Sequence, residues 1–308
     1  MTRGIMWRGL HKFTDIEVMP GGQLKGFFGV PGLGSVYWVN GGSDGPTDNT
    51  RDGLSASTPK QTITAALALC TDNYNDTIYV LNYGSNARAS ETWPIVVNKA
   101  QVHIIGIGTR GNKWATVTAT GANKDAFSIE AQRVEIAGLE IGGTAAGTGA
   151  GIILTNGMWG CYIHDCWFGV ADGAGATGIE VPAGVDAPYL RIEDCEFGNG
   201  LTAGGILIAN NATKGTIARN VFCDVAAVAI SVTGSAVGLR IYDNLIDMDA
   251  DTAGHGISLA AGTSDCLIFR NQVAALKTAT TANNGLVDGS TSNSWGLNYS
   301  GIVADLPA

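Results

Sequence analysis

The sequence is short of charge, of aromatic side chains and of long apolar runs. Charged residues are 15% of its 308 positions and aromatic ones 7%. No apolar stretch approaches the roughly 20 residues needed to span a bilayer, so a membrane is not expected among its partners. The opening MTRGIMWRGLHKF lacks the apolar centre of a secretory leader, which leads to the expectation of a soluble chain made in the cytoplasm. Its six cysteines, at 70, 161, 166, 195, 223 and 266, form no pair at zinc-site spacing, and neither a metal nor a cofactor is expected. No nucleophile elbow and no phosphate-cradling glycine loop stands between a strand and a helix; Gly32–Gly34 reads as a turn. Basic excess is missing as well. The net charge of −9 argues against nucleic acid.

Glycine, in contrast, is abundant at 44 residues, without a Gly-X-Y period. It punctuates short apolar bursts that recur. CYIHDCWFG begins at Cys161, LRIEDCEFG at Leu190, GTIARNVFC at Gly215, LRIYDNLID at Leu239 and CLIFRNQVA at Cys266, with VEIAGLEIG at Val134 a looser copy. Their central isoleucines, Ile136, Ile163, Ile192, Ile217, Ile241 and Ile268, are spaced by 27, 29, 25, 24 and 27 residues. A second series, GIIL, GIEV, GILI, AISV, GISL and GLV, starting at Gly151, Gly178, Gly205, Ala229, Gly256 and Gly285, runs in step. The segments at Thr77, Val102 and Ala126 add earlier turns. Two strand signals per 24 to 29 residues fit a solenoid. Each coil is too thin to bury a core by itself, and stacking creates a continuous one.

Alternation along a strand then assigns faces. In LRIEDCEF, Leu190, Ile192, Cys195 and Phe197 point inward. Arg191, Glu193, Asp194 and Glu196 point outward, with a bend near Asp194–Cys195. Three residues after the central isoleucines stand Leu139, Cys166, Cys195, Asn220, Asn244 and Asn271. Inward asparagines at a bend can stack as a hydrogen-bonded ladder that satisfies turn backbone groups. Cys166 and Cys195, on adjacent coils, leave a disulfide open; inert buried thiols are the adopted reading.

These repeats resemble the right-handed parallel β-helix proteins of the pectate-lyase-like superfamily. Residues 36–70, with an aromatic strand, a GSDG…DG loop, STP and a short helix, look like the leading segment of many phage and bacterial β-helix proteins. Thr62 is expected to cap a helix reaching about Leu69, whose apolar face plugs the open end of the solenoid. The expected fold is thus all-β, a single-stranded right-handed parallel β-helix with a short N-terminal capping helix and an irregular arm. The expected divisions are 1–35 (arm), 36–73 (first strand, loop and capping helix), 74–290 (β-helix) and 291–308 (closing segment). The resemblance specifies fold far better than function.

Paired outward acids suggest glycoside chemistry, and Asp165, Glu193, Asp194 and Glu196 are the candidate cluster. Carboxylates on adjacent or alternate coils, about 4.8 or about 9.5 Å apart, bracket the retaining and inverting separations. Yet the positions two after each isoleucine read Asp194, Arg219, Asp243 and Arg270 in order, alternating in sign as cross-coil ion pairs would. That pattern explains every member, so no catalytic residues and no enzyme are expected. The calcium-binding acids and the base of pectate-lyase catalysis cannot be matched residue by residue. Outward Tyr162, Trp167, Tyr242 and Phe269 suit either sugar stacking or a subunit interface. Asp44, Asp48 and Asp52 lack the calcium-loop spacing and read as turn residues. His103, His164 and His255 are given structural roles.

In the second series the outward middle positions are Ile153, Glu180, Leu207, Ser231, Ser258 and Val287. The apolar pair Ile153 and Leu207 marks a candidate oligomer interface. Residues 1–35 fit no coil. Arg3, Arg8, Lys12 and Lys25 outnumber Asp15 and Glu17 there, and Trp7, Phe13, Phe27 and Phe28 show no period. This pattern suits an arm that orders on a partner. Together these features lead to the expectation of a non-enzymatic virion protein of a tailed phage. It would be a homotrimeric capsid decoration protein made in the host cytoplasm and anchored by the arm, with the major capsid protein as the expected partner. The alternatives are a tailspike-type protein that binds or cleaves a host surface glycan, and a cellular carbohydrate-binding β-helix.

Overall fold

Short strands rich in isoleucine and valine pair with the equivalent strand one coil away. The computed structural model describes residues 34–42, 45–46, 48–82, 91–107, 115–121, 123–142, 148–169, 177–198, 200–225, 227–248, 255–276 and 285–302. Three all-parallel sheets result, one of ten strands and two of eight. Sheet A runs from Val36–Asn40 to Ser294–Gly296, sheet B from Ile95–Val97 to Leu286–Asp288, and sheet C from Ala115–Thr118 to Tyr299–Ile302. A coil visits A, then C, then B; one example is Tyr162–His164, Trp167–Phe168 and Thr177–Val181. The chain is a parallel β-helix, as the repeat implied.

The isoleucine column is in register. Ile104, Ile136, Ile163, Ile192, Ile217, Ile241 and Ile268 pair in succession along sheet A, and none is more than 1% exposed. Trp295 continues the column beyond residue 290, so two sheets still gain strands inside the segment expected to close the solenoid.

Each LRIEDCEF-type burst divides between sheets A and C at its bend, which is why three sheets exist where the sequence shows two series. The bend residue is left-handed in seven consecutive coils, at Gly138, Asp165, Asp194, Arg219, Asp243, Arg270 and Leu297, with φ between 49° and 65°. Just inside it the expected ladder forms. Asn220 Nδ2 donates to Asn244 Oδ1 at 3.0 Å, Asn244 Nδ2 to Asn271 Oδ1 at 2.8 Å, and Asn271 Nδ2 to Asn298 Oδ1 at 3.0 Å. All six cysteines are free thiols. Cys166 and Cys195 are buried at the ladder positions of their coils, and burial pushes the Cys195 thiol well up.

The glycine column of the second series has a packing cause. Phe168, Phe197 and Phe222 stack inside the solenoid at 4.8 and 4.6 Å between ring centroids. A Cβ on Gly151, Gly178 or Gly205 would come within 2.9, 2.7 or 2.5 Å of the facing ring. The phenylalanine stack therefore requires the absence of a side chain there.

At the leading end Thr62 accepts from Ala65 N at 3.1 Å and caps a helix that buries Ile63, Ala66 and Leu67. The helix spans Ile63–Leu67, shorter than expected, and Leu69 beyond it is exposed. No helix among the described residues is long and apolar enough to cross a membrane. The arm residues Trp7, Phe13, Phe27 and Phe28, together with Asp44, lie outside the described residues.

Candidate functional site

Sheet A turns a charged face outward, and the strands set its geometry. In the column just before each isoleucine, His103, Glu135, Tyr162 and Arg191 are register neighbours. In the column just after, Ala137, His164, Glu193 and Ala218 are neighbours. The two columns and the adjoining left-handed bend form one polar network.

Glu135 is the hub of its first half. One oxygen meets His103 Nδ1, and the other meets His164 Nε2 at 2.8 Å, while His164 Nδ1 contacts Asp165 at 2.7 Å. The hydrogen bonds to His103 and His164 draw the Glu135 carboxyl down to about 2. Burial disfavours charge on His164, but its bonds to Glu135 and Asp165 outweigh that and raise it to about 9.

The second half centres on Glu193. Arg191 grips it through Nε and Nη2 at 3.0 and 2.9 Å, and Arg219 Nη2 reaches the same carboxylate at 2.9 Å. Arg219 also binds Asp194 through two nitrogens, at 2.9 and 2.7 Å. Although Glu193 points outward as alternation required, these side chains leave it only 4% exposed. Burial raises its pKa, but the two arginines more than offset this and hold it below the usual carboxylate range. Tyr162 joins the halves. Its ring stacks on the His164 imidazole at 4.0 Å and lies 4.2 Å beneath the Arg191 guanidinium.

The candidate acids therefore separate. Glu193 ends its sheet A strand while Asp165 and Asp194 occupy the bend itself, each bonded to a histidine or arginine. Glu196 lies in sheet C, where it pairs in register with Trp167 and Val221. The alternating charges form separate doublets, Asp194–Arg219 and Asp243–Arg270. Of the outward aromatics, Tyr242 and Phe269 stack at 5.0 Å on sheet A, Trp167 belongs to sheet C, and Tyr162 is covered by Arg191. Asp48 and Asp52 accept from Thr50 N and Leu54 N, both at 3.0 Å, as turn residues. Among the described residues no group of three or more His, Cys, Asp or Glu is arranged to hold a metal ion.

Ile153 and Leu207 lie half-buried on the outer face of sheet B. They form one column with Val96, Ser128, Glu180, Ser231, Ser258 and Val287. Burial, aided by nearby Asp125, raises the pKa of Glu180 between them.

Sequence reading missed Glu135 and the twin arginine grip on Glu193. The signal was present in the position before each isoleucine, where His103, Glu135, Tyr162 and Arg191 follow one another.

The hub carries a pH prediction. Glu135 is lowered from 4.5 to about 2, so its contribution is complete above 4.5 and fades as pH falls toward 2. His164 is raised from 6.5 to about 9, so its contribution is complete below 6.5 and is lost as pH rises through 9. Melting temperature is expected to be highest between those limits. His164→Gln should flatten the alkaline decline selectively, as thermal melts from pH 5 to 10 would show; an unchanged alkaline limb would remove His164 as its cause.

No family model matches the chain, and no curated protein matches it. Among solved structures it is similar to an alginate lyase from a Paenibacillus species, with 15% identity, 78% of this chain and 95% of that one covered, and a TM-score of 0.55. It is also similar to a pectin methylesterase from Erwinia chrysanthemi, at 13% identity, 87% and 91% coverage and a TM-score of 0.48. A second pectin methylesterase, in complex with a hexasaccharide, aligns at 13% identity, 78% and 79% coverage and a TM-score of 0.49. The likeness to the alginate lyase is one of fold.

Proposed function

We propose that the chain is a non-catalytic, polysaccharide-binding β-helix, carried on a phage particle as a homotrimer. The observation behind the non-catalytic part is the neutralisation of the sheet A acids. A glycosidase needs one carboxyl that stays protonated and a second that is free to attack or to activate water. Glu193 is instead held ionised by two arginines, Asp194 is bound by Arg219, and Asp165 is bonded to His164. Glu196 lies beyond the bend, in sheet C. This face braces coil against coil, and the three acids on it are each paired with a histidine or an arginine.

A rigid rod with a periodic surface suits recognition of a periodic polymer. The Ile153–Leu207 column supports self-association, with Glu180 able to protonate where burial deepens. The setting on a particle, with the arm at residues 1–35 as anchor and a virion location, rests on the sequence pattern of the leading segment. Capsid decoration without glycan binding is the second reading, favoured by the same arm.

Purified protein incubated with alginate, pectin and host capsular polysaccharides is expected to retain at least one of them in affinity electrophoresis while releasing no new chain ends. Cleavage that vanishes in Asp194→Asn or Glu196→Gln would replace this proposal with a hydrolase or lyase. Retention of none of the polymers would favour the decoration role.

A further inference from the structure

We propose that Arg133, Trp159, Tyr189 and Lys214 form a binding stripe for an anionic polysaccharide; this deepens the polysaccharide-binding reading above and rests on it. The four residues occupy the same corner, between sheet B and sheet A, in four consecutive coils. Backbone bonds stack the corner. Arg133 N donates to Trp159 O, Gly160 N to Pro188 O and Tyr189 N to Thr213 O, each at 2.9 Å.

The rings are presented to solvent. Trp159 is 39% and Tyr189 42% exposed, and they meet edge to face at 5.5 Å between centroids. The Arg133 guanidinium sits 4.5 Å from the Trp159 ring centre and the Lys214 ammonium 5.9 Å from that of Tyr189. The order along the solenoid is thus cation, ring, ring, cation. Three coil steps of about 4.8 Å give it a length of roughly 14 Å, enough for a short run of sugar units.

Two features distinguish this stripe from the sheet A face. First, Arg191, Arg219 and Arg270 are ion-paired to carboxylates, whereas among the described residues Arg133 and Lys214 form no ion pair and rest on rings. Their charge is available in a protein of net charge −9. Second, the corner has a backbone that favours glycine. Gln101, Arg133, Gly160, Tyr189, Lys214, Gly238 and Asp265 all have φ between 53° and 68°. A bulky aromatic is disfavoured there, yet Tyr189 occupies the position and points its ring to water. The exposed parts of the two rings offer apolar contact to sugar rings, and the cations lying over them suit sugar carboxylates. Asp186, in the same corner, accepts from Asn210 Nδ2 at 3.1 Å. Asp265 lies at the equivalent left-handed position two coils beyond Lys214, so the cations do not continue at that end of the stripe.

The test uses the full chain with three probes: alginate as a polyuronate, dextran as a neutral polymer, and a single-stranded DNA oligonucleotide. The variants are Trp159→Ala, Tyr189→Asn (a residue that tolerates the left-handed bend) and Lys214→Asn, each checked for an unchanged melt. Alginate is expected to bind, to weaken as salt rises, and to lose at least tenfold in affinity, about 1.4 kcal/mol, in the Trp159 and Tyr189 variants. Alginate bound equally by wild type and variants would overturn the stripe and leave the polysaccharide reading standing. Binding of neither alginate nor dextran would overturn both. Dextran bound as tightly as alginate, independent of salt, would overturn the anionic class. Oligonucleotide bound more tightly, and lost in the same variants, would reassign the stripe to nucleic acid.

Discussion

Ile192→Asp is expected to abolish folding. Ile192 is fully buried and lies in register between Ile163 and Ile217. Its side chain faces the interior, while Arg191 and Glu193 on either side complete the outer network. Losing the isoleucine alone would cost about 2–5 kcal/mol. A carboxylate there would add several kcal/mol of desolvation without a partner. Against a typical total stability of about 5–15 kcal/mol, the sum leaves no native state. In a solenoid the damage is not confined to one coil, because each coil is the template for its neighbours. The expected result is insoluble protein, or a soluble chain without a cooperative melt. Ile192→Val, which keeps shape and polarity, should cost only about 0.5–1.5 kcal/mol. A cooperatively melting Ile192→Asp protein would show that this column does not face the core.

The success of that column as a sequence reading has a physical reason. A buried position in a repeating coil must be apolar each time, so the period survives while the intervening segments vary in length. The Asn220, Asn244 and Asn271 ladder was legible for a related reason: only a few residue types satisfy both a turn backbone and the coil above. Surface pairings were harder. The two-after column was read as a continuous alternating line, but Arg219 divides its donors between Glu193 and Asp194, while Arg270 forms its ion pair with Asp243. One guanidinium can serve two acids of one coil, which no linear charge pattern reveals. The left-handed bend was signalled by Gly138, Asp165, Asp194 and Asp243, types that tolerate positive φ, and hidden by Arg219, Arg270 and Leu297. The hub at Glu135 joins side chains 29 and 32 residues apart, visible only after the coils are aligned at the position before the isoleucine. Trp159 and Tyr189 lie outside the repeated bursts altogether, where exposure leaves no period to follow.

The asparagine ladder should tolerate substitution in a defined order. Asn244 Oδ1 accepts from both the backbone and side-chain nitrogens of Asn220, each at 3.0 Å, and Asn244 Nδ2 donates to Ile217 O at 3.1 Å. All of these groups are buried. Asn244→Leu keeps the volume but leaves the Asn220 N–H and the Ile217 carbonyl without these partners. At about 1–3 kcal/mol for each of these two orphaned groups, the expected loss is roughly 2–6 kcal/mol in urea melts. Asn244→Cys should lose less. The structure already contains that substitution at the earlier positions of the ladder. Cys166 Sγ approaches Ile136 O at 3.6 Å and Cys195 Sγ approaches Ile163 O at 3.8 Å, the counterparts of the carbonyl that Asn244 serves at Ile217. A thiol is a weak donor, but it is small and apolar enough to be buried without cost when the bond is poor. The ladder also ends there in an ordered way, since Cys195 N still donates to Asn220 Oδ1 at 3.0 Å. Stability should therefore fall in the order wild type, Asn244→Cys, Asn244→Leu. If leucine proved equal to or better than cysteine at this position, the ladder would be space-filling rather than a hydrogen-bonded brace.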